Sequence, residues 1–218
     1  HYFQENAADW ARLRSLHVDE VEVEAAMRAM VGPAPVSALI DLGTGTGRML
    51  ELFAGQAGQL NGIDQSPAML AIARAHLDQA GLARAQLRQS DIYALPFANG
   101  AADLVTIHQV LHYLDDPHKA LVEAARILRP GGRLLLADFA PHELEELRSD
   151  HAHRRLGISA EQMSRWLARA GLKLEAHEVL PPPWLKTSQG LTVSLWLARL
   201  PAAAEPVAAR RERKMVRP

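Results

Sequence analysis

Seven residues carry the strongest chemical signal in the chain: Asp41, Leu42, Gly43, Thr44, Gly45, Thr46 and Gly47. The glycines alternate at 43, 45 and 47, directly after a short apolar run at 36–40 and at the opening of a helical pattern at about 46–55. Glycine lets a backbone turn sharply and lie against a ligand, and a helix beginning there offers N–H donors that its own turns do not use. A dinucleotide fingerprint wants the spacing G-x-G-x-x-G, whereas position 48 is Arg. That departure disfavours a nicotinamide dehydrogenase.

Two carboxylates follow at the ends of the next two strand patterns. Asp64 closes Gly62-Ile63-Asp64, placed to reach the hydroxyls of a ribose, with Gln65 beside it. Asp91 follows Gln89-Ser90, where a carboxylate can accept from an exocyclic amine such as that of adenine, and Ile92 and Met69 are placed to sandwich the base. Either acid alone reads equally well as a helix N-cap. Glycines after strand one, an acid after two and an acid after three form a far more specific order.

Histidine supplies the remaining reactive groups. His108 and His112 fall just after the fourth strand pattern, His142 after the fifth, then His151 and His153. His108 and His112 share a face if their segment is helical. With Asp138, such a cluster can bind a metal, deprotonate an acceptor, grip an anion, or simply fill a polar rim. His108 is expected nearest the reacting group and His112 deeper in the acceptor pocket, which makes these two the catalytic candidates, and no metal is assigned. The chain has no cysteine, so thiolate nucleophiles, disulfides and Cys-ligated metals are excluded.

The elements that must hold these residues are α/β. Strands are expected at 36–40, 59–63, 85–89, 102–107 and 133–139, and helices at 46–55, 66–80, 117–128 and 159–170. Ser66 and Pro67 suit an N-cap and first turn. Strands separated by single helices, and apolar throughout, form a doubly wound parallel sheet covered on both faces. Two closing strands at 172–180 and 191–199 give it an antiparallel end.

Three regions result: an N-terminal helical segment at 1–31, the α/β domain at 32–200 and a tail at 201–218. The tail carries Arg210, Arg211, Arg213, Lys214 and Arg217 against Glu212, leaving the rest of the chain acidic within a net charge of -1. That balance argues against a domain-wide nucleic-acid face. The hydrophobic share of 48% supports a sizeable core. No apolar run is long enough to span a membrane and no secretory signal opens the chain, so a cytoplasmic address is expected. Because the chain opens on His1 rather than Met, a preceding segment is expected.

In combination these motifs resemble the class I S-adenosylmethionine-dependent methyltransferases. The resemblance rests on residues 41–47, Asp64 with Ser66-Pro67-Ala68-Met69-Leu70, Ser90-Asp91, Leu95-Pro96-Phe97, Ala102-Asp103-Leu104-Val105 and Leu128-Arg129-Pro130-Gly131-Gly132. It implies a Rossmann-like sheet of seven strands with the last antiparallel. The backbone at Gly43, Thr44, Gly45 and Gly47 would approach the methionine moiety of S-adenosylmethionine, and Asp41 would order the loop and the cofactor's amino group. Asp64 and Gln65 would meet the ribose, Asp91, Ile92 and Met69 the adenine, and His108 the methyl-bearing end. Tyr2 would lie over the cofactor as part of a helical lid.

A further likeness is to the methyltransferase half of ArsR-type regulators, on Tyr2-Phe3, Trp10 to Arg14, His108 to Tyr113 and Asp138 to Glu143. It implies an upstream winged-helix DNA-binding domain and allows a homodimer. Two functions follow. The first is methyl transfer to a small-molecule acceptor, releasing S-adenosylhomocysteine; the second is sensing of S-adenosylmethionine or S-adenosylhomocysteine on behalf of a DNA-binding domain.

Overall fold

A computed structural model of the chain describes residues 19–145, 147, 153–182 and 191–202. The first expected helix with Tyr2 and Trp10, His151, and the basic tail lie outside these residues. The elements run α1 (Glu20–Val31), β1 (Val36–Leu42), α2 (Arg48–Phe53), β2 (Ala57–Asp64), α3 (Pro67–Gln79), β3 (Gln86–Gln89) and β4 (Ala102–His108). There follow a single 3-10 turn at Leu111–Tyr113, α4 (Pro117–Ile127), β5 (Leu128–Phe139), α5 (Ala160–Arg169), β6 (Lys173–Leu180) and β7 (Val193–Arg199).

The seven strands form one sheet in the order β3-β2-β1-β4-β5-β7-β6. β1 through β5 pair in parallel, while β7 runs antiparallel to both neighbours. This is the α/β sheet with an antiparallel last strand that the strand pattern implies. Its strands alternate between two cores. Leu39, Leu104, Leu135 and Leu195 join α1 and α2 on one face. Ile40, Val105, Leu136 and Trp196 join α4 and α5 on the other. Side chains alternate across a strand, so only a sheet covered on both faces buries successive residues this way.

Local chemistry fixes where the helices start. The Asp19, Ser66, Asp116 and Ser159 side chains each accept a backbone N–H from the first turn of α1, α3, α4 and α5. Pro67 and Pro117 occupy first-turn positions that have no N–H to lose.

One boundary departs from expectation. β5 begins at Leu128 rather than 133 and carries Pro130, Gly131 and Gly132 inside it. Its register against β4 shifts between Ala102 and Leu104, and an irregular ladder tolerates a proline that donates no hydrogen bond. At this end of the sheet Asp103 staples β4 to β1. Its carboxylate accepts from the Ala38 N–H at 2.8 Å and meets the Arg129 guanidinium at 2.5 Å.

Candidate functional site

The strand order reverses between β1 and β4. In an open α/β sheet the crevice at such a switch point, outside the carboxyl ends of the strands, is where ligands bind. The glycine turn leaves β1 at this point. Gly43 and Thr44 both donate N–H to the Ile63 carbonyl at 2.8 Å, which bends the chain over the end of β2. Gly43, Gly45 and Gly47 all have positive φ, at 72°, 54° and 84°. A Cβ on Gly43 would lie 2.5 Å from a Val110 methyl, and one on Gly47 would lie 3.0 Å from Leu77 of α3. The turn is therefore packed from both sides, by the segment after β4 and by α3.

Asp64 holds the turn from the next strand. One carboxylate oxygen accepts the Gly45 N–H at 2.9 Å and the other the Ser66 N–H at 2.8 Å. The residue stays partly exposed, so its remaining lone pairs can meet a ligand hydroxyl. Met69 reaches over the turn, its methyl 3.5 Å from where a Gly45 Cβ would stand. Exposed Gln65 receives the Gln89 side-chain amide on its carbonyl at 3.1 Å, linking the ends of β2 and β3. Asp91 is exposed after β3 and caps its own turn through the Tyr93 N–H at 2.9 Å. Ile92 beside it is half-buried against the α4–α5 core. Neither acid is a helix N-cap: Ser66 caps α3, and Asp91 closes only its own turn.

Asp41 is buried under the turn and accepts the Thr106 hydroxyl at 2.7 Å. Burial pushes its pKa up from 3.8 to about 6, partly offset by the Thr106 hydrogen bond and reinforced by the Asp64 charge. The Thr44 hydroxyl, also buried, lies beside this carboxylate, and its hydrogen bond likewise lowers the pKa.

A raised carboxyl pKa has a definite sign. The fold retains the Asp41 proton up to about 6, whereas the unfolded chain releases it near 3.8. The group therefore costs nothing below pH 4, destabilises progressively as pH rises to 6, and costs about 3 kcal/mol above that. Asp41→Asn should raise the ligand-free unfolding free energy at pH 7 but not at pH 4. Urea titrations at the two pH values measure the difference; an equal effect at both would contradict the assignment.

Arg48 opens α2 and forks onto Glu24 of α1, Nε to Oε1 at 2.5 Å and Nη2 to Oε2 at 2.7 Å, with Nη1 on Glu51 at 2.7 Å. The residue that breaks the dinucleotide fingerprint thus ties the N-terminal helix to the glycine turn. An open cleft of about 280 Å³ lies beside this pair, lined by Glu20, Val21, Glu24, Thr46, Arg48 and His76. It touches the turn through Thr46 but includes neither Asp64 nor Asp91, so it lies to one side of the strand-end acids.

The two catalytic candidates do not share a helix face. No helix joins them: Gln109 takes a left-handed φ of 54°, and only the short 3-10 turn follows. His108 ends β4 in the same alternation as Thr106, whose hydroxyl meets Asp41. Asp138 falls in the alternation of Leu134 and Leu136, on the face of α4 and α5. Burial pulls the pKa of His108 down to about 4, against the opposing pull of Asp138 and Glu24. Its ring is neutral at pH 7 and a weak proton acceptor. His112 is 1% exposed, and its Nδ1 lies 2.7 Å from Asp138 Oδ1 while its backbone N–H donates to Oδ2 at 3.3 Å. The His153 ring lies tilted against it with centroids 4.2 Å apart, and His142 stands against Phe139 at 6.2 Å. Among the described residues no group of acids and histidines could hold a metal.

Gln109 escaped the sequence reading altogether. A non-glycine residue at positive φ is uncommon and strained, and such positions cluster at functional sites. Here the kink swings Val110 onto Gly43. Its amino-acid type carries no signal of this, because the conformation is imposed from outside.

Residues 40–136 match the family model described as a methyltransferase domain. Among curated proteins, the malonyl-[acyl-carrier protein] O-methyltransferase of Hahella chejuensis is 34% identical over 150 residues, covering 65% of this chain and 53% of that protein. The demethylmenaquinone methyltransferase of Thermus thermophilus is 41% identical over 105 residues, covering 47% of each. The arsenite methyltransferase of Aquipseudomonas alcaligenes is 35% identical over 135 residues, covering 56% of this chain and 39% of that protein. The chain thus spans about half the length of these relatives or less. Among solved structures, the YcgJ protein of Bacillus subtilis superposes with a TM-score of 0.71 at 18% identity, over 84% of this chain and all of that one. A geranyl diphosphate methyltransferase in complex with SAM gives 0.68 at 16% identity, over 83% of this chain and 85% of that chain. These likenesses establish the fold.

Proposed function

We infer that this chain, which matches a methyltransferase-domain family model over residues 40–136, transfers the methyl group of S-adenosylmethionine to a small-molecule acceptor as a class I enzyme. The observation that carries this reading is the convergence of the glycine turn, Asp64 and Asp91 on the carboxyl ends of the adjacent strands β1, β2 and β3. The site suits the cofactor: Gly43 and Gly47 have no room for side chains, and Asp64 and Asp91 are at least partly exposed.

Gly43, Thr44, Gly45 and Gly47 hold the methionine moiety and Asp41 faces its cationic end. Asp64 and Gln65 take the ribose, and Asp91, Ile92 and Met69 take the adenine. The bound cofactor supplies an electrophilic methyl on a sulfonium that departs as a neutral thioether. In-line placement and exclusion of water then do much of the catalysis. His108, neutral at pH 7, lies toward the methyl-bearing end as a hydrogen-bonding wall. The Glu24–Arg48 fork ties α1 to the turn, while the lid expected of the segment holding Tyr2 lies outside the described residues.

The alternative is a sensor module that binds the same nucleosides for an upstream DNA-binding domain and methylates nothing. Formation of S-adenosylhomocysteine separates the two. The chain incubated with S-adenosylmethionine and a mixed panel of hydroxyl, amine, thiol and carboxyl acceptors should release it in an acceptor-dependent way. Tight nucleoside binding with no turnover on any acceptor would favour the sensor.

A further inference from the structure

Between β3 and β4 the residues at 90–101 contain no helix or strand, so their backbone groups need partners from elsewhere. Two side chains of α4 supply several of them. Arg126 Nε donates to Glu123 Oε1 at 2.7 Å. Its Nη1 donates to the Phe97 carbonyl at 2.8 Å and to Asn99 Oδ1 at 3.0 Å. Its Nη2 donates to the Leu95 carbonyl at 3.0 Å and to Glu123 Oε2 at 2.8 Å. Every one of the guanidinium N–H groups therefore has an acceptor. Glu123 Oε2 in turn accepts the Leu95 N–H at 2.9 Å, and the Gly100 N–H closes on the Arg126 carbonyl at 3.1 Å. An exposed ion pair one turn apart on a helix contributes little by itself. This pair instead holds a loop, gripping Leu95 by both of its backbone groups.

Leu95 ends the turn that carries Asp91. The Asp91 carboxylate accepts the Tyr93 N–H at 2.9 Å and its carbonyl accepts the Ala94 N–H at 3.1 Å. On the other side the Ser90 N–H donates to the Asp64 carbonyl at 3.1 Å. The exposed Asp91 side chain is thus fixed from β2 at one end and from α4 at the other. We propose that Glu123 and Arg126 are the positioning residues for base selection: by clamping Leu95 they hold Asp91 where it accepts from the 6-amino group of the cofactor's adenine. This rests on the methyltransferase reading above. The pair acts through Asp91 and not on the ligand. A loop ordered before the ligand arrives loses little freedom on binding, so the hydrogen bond to the amine is expressed in affinity. Lysine at 126 would keep the charge but place its donors at one point, which cannot span two carbonyls, Asn99 and Glu123 together.

The test is calorimetry of the full chain with S-adenosylhomocysteine and with its 6-deamino analogue, which carries hydrogen in place of the amino group. The unaltered protein should prefer S-adenosylhomocysteine by about 10-fold or more, the scale of one hydrogen bond to a charged group. Asp91→Ala should abolish that preference. Arg126→Lys should shrink it to within a few-fold while leaving affinity for the deamino analogue nearly unchanged. In the Asp91→Ala background Arg126→Lys should have no further effect on the preference, because the two residues act as one unit. A merely structural Arg126 would weaken both ligands equally and leave the preference intact, and that result would overturn the proposal. So would a preference that survives Asp91→Ala, or binding of both ligands to the unaltered protein with equal affinity. Failure of the unaltered protein to bind S-adenosylhomocysteine would instead refute the underlying reading. Should the variants not fold, amide hydrogen exchange on the unaltered protein decides. The Leu95 and Gly100 amides should gain more protection from saturating S-adenosylhomocysteine than from the saturating deamino analogue, since coupling between base and clamp is reciprocal. Equal protection by the two ligands would contradict the proposal.

Discussion

Asp64→Ala should weaken S-adenosylmethionine and S-adenosylhomocysteine alike, by roughly 10- to 150-fold, the range that loss of a charge-assisted hydrogen bond gives. The upper end is expected, because Asp64 acts twice. Besides the ribose contact proposed for it, it accepts the Gly45 and Ser66 N–H groups and so shapes both the turn and the start of α3. Asp64→Asn keeps an acceptor oxygen for one of these contacts only and should fall between. Calorimetry on folded variants reads the effect. An unchanged affinity in Asp64→Ala would remove Asp64 from the ribose site.

Gly43→Val should be the most damaging single change in the turn. At φ 72° a β-branched residue is strained, at a cost of about 1–3 kcal/mol. Its Cβ would also stand 2.5 Å from Val110, and overpacking of that kind adds about 1–3 kcal/mol. Gly55→Ala is the control, since nothing lies within 4 Å of its Cβ position and its φ is ordinary. Urea unfolding should show a loss of several kcal/mol for the first and little change for the second. Val110→Ala placed in a Gly43→Ala background should recover the steric part and leave the backbone part. A Gly43→Val chain as stable as the parent would mean that the turn is not held as described.

The sheet was legible in the sequence because its central strands are buried on both faces; the edge strands β3 and β6 are largely exposed and polar, against the expectation of strands apolar throughout. Runs such as 102–107, apolar but for Asp103 and Thr106, have few other uses in a chain of this length. Helix starts were legible where a cap residue precedes a proline, as at Ser66-Pro67. The start of β5 was not, because Pro130-Gly131-Gly132 carries every local sign of a loop and only the irregular pairing with β4 makes room for it.

The glycine turn and its two acids could be read because each follows directly from a strand end. The Asp138–His112 pair could be suggested but not placed. Its partners stand 26 residues apart and meet through tertiary packing, and helical spacing from His108 gave the wrong geometry. The same holds for Glu24 and Arg48, an ion pair that only the packing of α1 against α2 creates. Gln109 left no trace at all, since backbone strain imposed from outside is silent in residue type.

The central claim is that the ends of β1, β2 and β3 form a site for S-adenosylmethionine. Titration calorimetry of the chain against S-adenosylmethionine, S-adenosylhomocysteine and NAD tests it most directly. Binding of one equivalent of either sulfur nucleoside with a Kd of about micromolar order, and no binding of NAD, is the expected result. Heat from NAD with none from S-adenosylmethionine would contradict the account.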